Sequence, residues 1–402
     1  MRIAAIISEY NPFHKGHEYQ IRRTRSEGKA THVIALMSGN FVQRGLPAII
    51  DKYRRAEMAV LGGADLVLEL PAVYALSSAE FFAEGSIRIL NALNGVHLLS
   101  FGSEEGSLHN LNAIAEILAS EPDAYRELLK EELSHGHSFP RARNQALKKL
   151  LPQLDMDFIK NPNNILGVEY MKALKRTGSK IQPFTVQRMG KGYHDLELNE
   201  EEYASATALR NEIRNNISIE GFVPEKIHEY IEKLKEVEYP FLSDEDFKDL
   251  LIYRFITENH SLINISEASE GLDNRILAHL QNLKEGSLAS FVDEIKTKRY
   301  ARTRISRILM QFLLAFDLEP IETLRRQTPE TIKILALNEK GKEILAALRK
   351  DREIGLEHNF GRKPDPFQKI DQKSSLVYAM RNHAYDPQWD FKGFRDPFQN
   401  KP

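Results

Sequence analysis

The chain has 402 residues, with 55 Lys or Arg, 57 Asp or Glu and no Cys, so its formal net charge is −2. This composition excludes a disulfide framework, a thiolate nucleophile, a cysteine-ligated metal site and a chain that is basic or acidic throughout. Hydrophobic residues make up 42% of the chain, which is enough for a core. No run of about 18 apolar residues and no targeting segment occurs, so we expect a cytoplasmic protein without a membrane span.

The first half of the chain alternates apolar runs with helical patterns. Continuous apolar runs predict buried strands over residues 2–8, 32–37, 64–70, 96–101 and 180–187. Helices are predicted after Asn11 and over residues 51–61, 77–93, 107–150 (two or three helices) and 205–215. This alternation predicts an α/β fold with a Rossmann-like parallel sheet, whose ligands lie beyond the carboxyl ends of the strands.

The second half is predicted to be mainly α-helical, because amphipathic segments follow one another over residues 217–350. We therefore divide the chain into residues 1–216 and residues 217–402. Residues 355–402 are rich in Pro, Asp and aromatic residues, and they are expected either to wrap the core or to stay loose.

The strongest chemical signal is NPFHKGH at residues 11–17, between the first strand and the first helix. His14 and His17 are three residues apart and share a helix face, and Gly16 leaves room for a phosphate. A helix N-terminus attracts anions, and two imidazoles there can stabilise charge on a pentavalent phosphorus. The motif predicts a phosphate-transfer site; the alternative is two unrelated surface histidines.

A second phosphate-binding element is predicted in YASATALR, residues 203–210. Ser205 and Thr207 lie near a helix start and Arg210 follows, so hydroxyls, backbone amides and a guanidinium could hold a polyphosphate. The alternative is an ordinary capped helix.

These two motifs together resemble the HxGH nucleotidyltransferase superfamily. Further strings resemble the bacterial tRNA(Met) cytidine acetate ligase family over most of the chain: SEYNPFHKGH (8–17), MSGNFVQRGLPAI (37–49), GADLVLELP (63–71), SFGSE (100–104), NPNNILGVEY (161–170) and TKRYARTRISRIL (297–309). The resemblance implies an ATP-dependent ligase that activates acetate as acetyl-adenylate. It then transfers the acetyl group to the exocyclic amine of the wobble cytidine of elongator tRNA(Met), giving N4-acetylcytidine.

The resemblance also implies roles for particular regions and residues. Residues 1–216 would form the ATP-binding catalytic domain and residues 217–402 a tRNA-binding domain with a C-terminal tail. His14 and His17 would be catalytic. The ATP-binding residues would be Ile7, Ser8, Glu9, Tyr10, Asn11, Pro12, Phe13, His14, Lys15, Gly16, His17, Glu18, Tyr19 and Gln20, followed by Gly102, Asn163, Asn164, Arg188, Ser205, Thr207 and Arg210.

Some of these assignments leave alternatives open. Gly102 would let adenosine approach the strand end, or it has only a packing role. Asn163 and Asn164 would cap a helix and contact the nucleotide. Either Glu9 or Tyr10 could shape the acetate pocket, and no residue stands out as a general base. Mg²⁺ is expected to be held mainly by the ATP phosphates, as is usual for this ion.

A basic segment over residues 296–307 contains six Lys or Arg among twelve residues and no acid. The predicted tRNA contacts are Lys296, Lys298, Arg299, Arg302, Arg304 and Arg307, which an apolar helical stripe would turn outward. The alternative is a solvated helix face. Two smaller clusters could bind RNA or triphosphate, or be structural: Lys52, Arg54 and Arg55, and Arg141 with Arg143.

Two other functions share part of this pattern. A small-molecule adenylyltransferase would use the first motif but would not need the long helical half with its basic segment. A non-catalytic RNA-binding protein could hold a nucleotide as a structural ligand only. Pyrophosphate release separates the last alternative from the two enzymes, and dependence on acetate and RNA separates the enzymes from each other.

Overall fold

The computed structural model describes residues 1–154, 156–188, 205–361 and 363–394, without the side chains of Met156 and Lys160. A seven-stranded sheet organises the chain, in the order β7-β6-β1-β2-β5-β8-β9, and β3 and β4 form a separate hairpin. The strands are β1 (Ile3–Ser8), β2 (His32–Ser38), β3 (Phe41–Val42), β4 (Leu46–Pro47), β5 (Leu66–Leu70), β6 (Leu98–Ser103), β7 (Gln182–Gln187), β8 (Thr331–Leu337) and β9 (Gly355–Glu357).

Five strands form the parallel part of the sheet that the sequence predicted. The pairs β1–β2, β1–β6, β2–β5 and β6–β7 are all parallel. Residues on both faces of β1 and β2 are buried, which is why these residues are apolar in succession. The α/β fold class is confirmed, and the carboxyl ends of β1, β6 and β7 meet along one edge.

The helices of the described residues cover the sheet and build the second half of the chain. They are α1 (Lys15–Ser26), α2 (Lys52–Leu61), α3 (Ala72–Ala75), α4 (Ala79–Ala92), α5 (Leu108–Ser120), α6 (Asp123–Ser134), α7 (Phe139–Leu150), α8 (Pro162–Arg176), α9 (Ala206–Arg214), α10 (Glu225–Glu236), α11 (Lys248–Glu258), α12 (Leu272–Ala278), α13 (Leu280–Glu285), α14 (Leu288–Ile295), α15 (Arg302–Leu313), α16 (Ile321–Leu324), α17 (Glu339–Leu348), α18 (Pro366–Ala379) and α19 (Trp389–Lys392). Short 3₁₀ helices lie at Met156–Lys160, Asp244–Phe247, Asn259–Asn264, Ser266–Ala268 and Phe316–Leu318. Within the described ranges, no helix is long and apolar enough to cross a membrane.

The sheet includes two strands from the half that was predicted to be helical. β8 pairs antiparallel with β5, with Leu337 opposite Leu66, and β9 then pairs parallel with β8. The second half is mainly α-helical, as predicted, but the helical prediction was wrong over β8, because periodicity alone does not separate a short buried strand from a buried helix segment. The sheet therefore contains strands from both sides of residue 216. The assignment of tRNA binding to residues 217–402 stays a prediction.

The C-terminal segment wraps the core as far as residue 394. The Asp390 carboxylate accepts a hydrogen bond from the Tyr53 hydroxyl at 2.8 Å and pairs with the Lys52 ammonium at 2.8 Å. Arg54 pairs with Asp51 at 2.6 Å and donates to the Ala384 carbonyl. Because Lys52, Arg54 and Arg55 are at most 1% exposed, this basic cluster is structural and presents no charge to RNA.

Candidate active site

The two histidines of NPFHKGH cap the first turn of α1. His14 is the N-cap residue, and its Nδ1 accepts a hydrogen bond from the Gly16 N–H at 3.1 Å. The His14 N–H in turn donates to Nδ1 of His17 at 3.2 Å. This reciprocal arrangement is a capping box made of two imidazoles in place of the usual Ser or Thr and Glu or Gln. The motif therefore fixes both rings to the helix start.

The capping bonds also determine which nitrogen carries the proton in each ring. An imidazole nitrogen that accepts a hydrogen bond is deprotonated, so the proton of each neutral ring is on Nε2. Burial, with the nearby charges of Arg188 and Arg210, lowers the pKa of His14 to about 3. Burial and the neighbouring His14 lower the pKa of His17 well below 6.5. Both histidines are thus neutral hydrogen-bond donors at neutral pH.

Aromatic packing holds the two rings together. Their centroids are 3.7 Å apart in a stacked arrangement. The edge of the Tyr10 ring meets the His17 ring at 4.8 Å, and Phe13 packs against both Tyr10 and His17. The two Nε2–H donors therefore occupy fixed positions.

A cation stands beside the histidines at the ends of β6 and β7. Arg188 follows β7, and its N–H donates to the Ser103 carbonyl of β6. Its side chain is exposed and crosses Gly102: a Cβ added at Gly102 would lie 3.3 Å from Cγ of Arg188. The absence of a side chain at Gly102 thus leaves room for Arg188 at the same sheet edge.

The second predicted element contacts the first directly. Ser205 is the N-cap of α9 and accepts from the Ala208 N–H at 3.1 Å. Arg210 donates to the Asn11 carbonyl at 2.9 Å and to the Thr207 hydroxyl at 3.0 Å. The Asn11 side chain accepts from the Ile49 N–H at 2.9 Å, which ties the motif to the segment after the β3–β4 hairpin. The start of α9 therefore lies beside the start of α1.

Asn163 and Asn164 hold the loop after β6, and neither is the helix cap that was expected. The N-cap of α8 is Asn161. The Asn163 amide donates to Glu104 at 2.6 Å, and the Asn164 N–H donates to the same carboxylate at 3.0 Å. The fully buried Asn164 side chain also accepts from the Glu105 N–H and donates to the Phe158 carbonyl. The Asn164 side chain thus supports the loop, and a direct contact of either residue with nucleotide stays a prediction.

Other residues of the segment 7–20 make backbone contacts that fix it. Gln20 donates to the Ser100 carbonyl at 3.2 Å, and the Lys15 N–H donates to the Phe222 carbonyl at 3.2 Å. Glu9 is half-buried, and its Oε1 accepts from the Gln43 N–H at 3.0 Å. Among the described residues, no cluster of three or more His, Asp or Glu could hold a metal ion.

Sequence reasoning did not predict the supporting contacts of two residues, Glu104 and Arg55. Glu104 lies in the string SFGSE, but its role depends on Asn163 and Asn164, which are distant in the chain. The fully buried Arg55 guanidinium donates to the carbonyls of Glu9, Ser38 and Gly39 at the ends of β1 and β2, and to the Ile50 carbonyl just before α2. A cluster of basic residues in the sequence does not indicate this role of Arg55, because the partners of its guanidinium are backbone carbonyls.

The basic segment 296–307 meets acidic residues from other elements. Arg299 and Arg304 pair with Glu270 at 3.7 and 3.3 Å, and Arg302 pairs with Asp293. Lys296 and Lys298 are exposed and form no ion pair with any described residue. The outward orientation predicted for Arg307 is wrong, because its side chain is buried on Glu267 at 2.7 Å. Arg143 pairs with Glu169 at 3.3 Å, whereas Arg141 is exposed.

Comparison with known proteins is consistent with this geometry. The family model described as HIGH Nucleotidyl Transferase matches residues 1–390. The tRNA(Met) cytidine acetate ligase of Clostridium perfringens (strain SM101 / Type A) is 40% identical, over 95% of this chain and 96% of that protein. Its counterpart from Clostridium novyi (strain NT) is 39% identical over 98% of both chains.

Two crystal structures of Thermotoga maritima TmcAL have the same fold. The match to the apo structure has a TM-score of 0.87 and 33% sequence identity, and it covers 94% of this chain and 95% of the Thermotoga maritima chain. The structure bound with alpha-thio ATP has a TM-score of 0.85 and 32% identity, over 95% of each chain.

Proposed function

Because the chain belongs to the tRNA(Met) cytidine acetate ligase family of HIGH nucleotidyl transferases, we propose that it acetylates the wobble cytidine of elongator tRNA(Met) at the expense of ATP. Acetate and ATP first form acetyl-adenylate and pyrophosphate. The acetyl group then passes to the cytidine N4 amine and AMP is released. The reaction requires cytoplasmic substrates, and we place the protein in the cytoplasm.

The observation that carries this proposal is the pair of neutral histidines at the start of α1. These histidines, the positive end of the helix dipole, Arg188 and Arg210 lie close together near the edge where β1, β6 and β7 end. Such an array stabilises the negative charge that builds up when an oxygen attacks the α-phosphorus and pyrophosphate leaves. No nucleophilic side chain is needed, since acetate supplies the attacking oxygen.

The surrounding residues have distinct tasks in this first step. Arg188 is exposed beside the histidines and would bind phosphate oxygens. Arg210 links Asn11 to Thr207 and would keep the second phosphate-binding element against the first. Mg²⁺ would be bound by the phosphate oxygens of ATP, since the described residues form no metal cage.

RNA binding is proposed for the exposed part of the basic segment. Lys296, Lys298 and Arg299 lie on the surface between α14 and α15. The buried Arg307 side chain pairs with Glu267 and so anchors α15. Gly45 of the β3–β4 hairpin contacts the same helix closely: a Cβ added at Gly45 would lie 2.2 Å from the backbone nitrogen of Arg307. The hairpin thus connects the surface proposed for RNA to Glu9 in the adenylation site.

Isotope exchange between pyrophosphate and ATP tests the first step. We expect exchange that depends on acetate and does not require RNA. Exchange that requires a nucleotide-cofactor precursor in place of acetate would instead support a small-molecule adenylyltransferase. The absence of exchange with every carboxylate, together with intact RNA binding, would support a non-catalytic protein.

A further inference from the structure

The second half-reaction needs a proton acceptor. The cytidine N4 amine is neutral and conjugated, and it becomes acidic as its lone pair bonds to the acetyl carbon. A group that accepts hydrogen bonds from this amine and takes its proton during attack accelerates such transfers by roughly 10²–10⁴-fold.

The two histidines are unsuited to this task. Each Nδ1 already accepts a backbone N–H, and each Nε2 carries the proton. Neither ring has a lone pair available for the amine. The base must therefore come from another side chain at the same edge.

Most carboxylates at the described strand ends are already engaged. Glu69 of β5 is buried in an ion pair with Lys52. Both oxygens of Glu104 accept hydrogen bonds from Asn163 and Asn164, and Glu105 accepts from the Asn110 amide. These groups are held in supporting contacts.

Glu9 differs from them in position and in bonding. It directly follows β1, and the next residue, Tyr10, packs against the His17 ring. The half-buried carboxylate is oriented by the Gln43 N–H on Oε1, and no described residue donates to Oε2. The Arg55 guanidinium donates to the backbone carbonyl of Glu9 at 2.5 Å and so fixes the backbone there. The group is therefore oriented, partly accessible and able to accept a hydrogen bond.

We propose that Glu9 is the general base of acetyl transfer and receives a proton from the N4 amine of the target cytidine. The proposal rests on the proposed function and assigns one of its steps. The amine nitrogen forms a bond with the acetyl carbon, and the bond between that carbon and the AMP oxygen breaks. AMP leaves with the electron pair of the broken bond, the N4 proton moves to Oε2 of Glu9, and it later passes to solvent.

The experiment uses the full chain, unmodified tRNA(Met) and preformed acetyl-adenylate, so that transfer is measured apart from activation. Glu9→Gln keeps an oxygen for the Gln43 N–H but removes the base. We expect single-turnover transfer to fall by roughly 10²–10⁴-fold, and we expect this loss to exceed any loss of acetate-dependent pyrophosphate exchange in the same variant by at least tenfold. Glu105→Gln, at the end of the neighbouring strand β6, is the matched control and should transfer at close to the wild-type rate.

Chemical rescue separates a base from a merely structural residue. Glu9→Ala leaves space for a small carboxylate, so added formate should restore transfer at least tenfold in this variant and should not accelerate the wild type. Transfer by Glu9→Gln within tenfold of wild type, or an equal loss of both half-reactions without formate rescue, would overturn the assignment. If the wild type itself transfers no acetyl group to the RNA, the proposed function fails rather than the role of Glu9.

Discussion

The double use of His14 and His17, as helix caps and as donors to phosphate, can be separated by substitution. Asn is among the best N-cap residues, and Gln at the third helical position completes a capping box. His14→Asn and His17→Gln should therefore keep the bonds to the Gly16 and His14 N–H groups while losing the Nε2–H donors. The corresponding alanine variants lose both.

The size of each effect follows from the kind of interaction that is lost. Removing one donor to a developing negative charge should slow acetate-dependent pyrophosphate exchange by roughly 10²–10³-fold, or about 3–4 kcal/mol. Losing the cap is a separate effect on stability: it should lower the free energy of unfolding by ~1 kcal/mol, and only in the alanine variants. Exchange assays and urea denaturation of all four variants measure the two effects. Near-wild-type exchange in His14→Asn and His17→Gln would refute the catalytic assignment.

Three other changes have defined outcomes. The pKa of both histidines is lowered in the folded chain, so the unfolded chain binds more protons below pH 6.5. The free energy of unfolding should therefore be highest above that pH and fall by up to ~1.4 kcal/mol per pH unit per histidine as the pH drops towards 5. The double variant His14→Asn with His17→Gln should show a shallower fall in urea denaturation. Gly102→Val should displace Arg188 and weaken binding of a non-hydrolysable ATP analogue in calorimetry, and an unchanged dissociation constant would place the nucleotide elsewhere. Changing Lys296, Lys298 and Arg299 together to Ala should reduce the slope of log tRNA affinity against log salt by ~0.7–0.9 per lost phosphate contact. The control is the same change at three other exposed residues, Lys340, Lys342 and Lys350, which should leave the slope unchanged. Equal slopes in both triple variants would argue against the assigned RNA surface.

Local features of the sequence were sufficient to predict the parallel sheet. β1 and β2 are buried on both faces, so their apolar runs are continuous, and α2 begins where the predicted helix over residues 51–61 begins, with Asp51 as its N-cap. The NPFHKGH loop was also recognisable, because its chemistry lies within seven consecutive residues. What could not be predicted was that the two imidazoles cap the helix through Nδ1, since this depends on backbone geometry.

Features that depend on distant partners were missed. A basic segment without acids in sequence suggested an outward-facing Arg307, but Glu267 lies forty residues away and buries it. The sequence left open whether Lys52 has a binding or a structural role, because its partner Asp390 comes from the far end of the chain. β8 was missed because its pairing with β5 joins segments separated by about 270 residues. In each case the decisive interaction is long-range, and a local pattern does not contain it.

The most direct test of the central claim is mass spectrometry of nucleosides from unmodified tRNA(Met) incubated with the protein, ATP and isotopically labelled acetate. We predict that the label appears in N4-acetylcytidine, only when ATP is present, and that His14→Asn prevents its appearance. Labelled acetyl-adenylate without any labelled nucleoside, or acetylation that proceeds without ATP, would contradict the account.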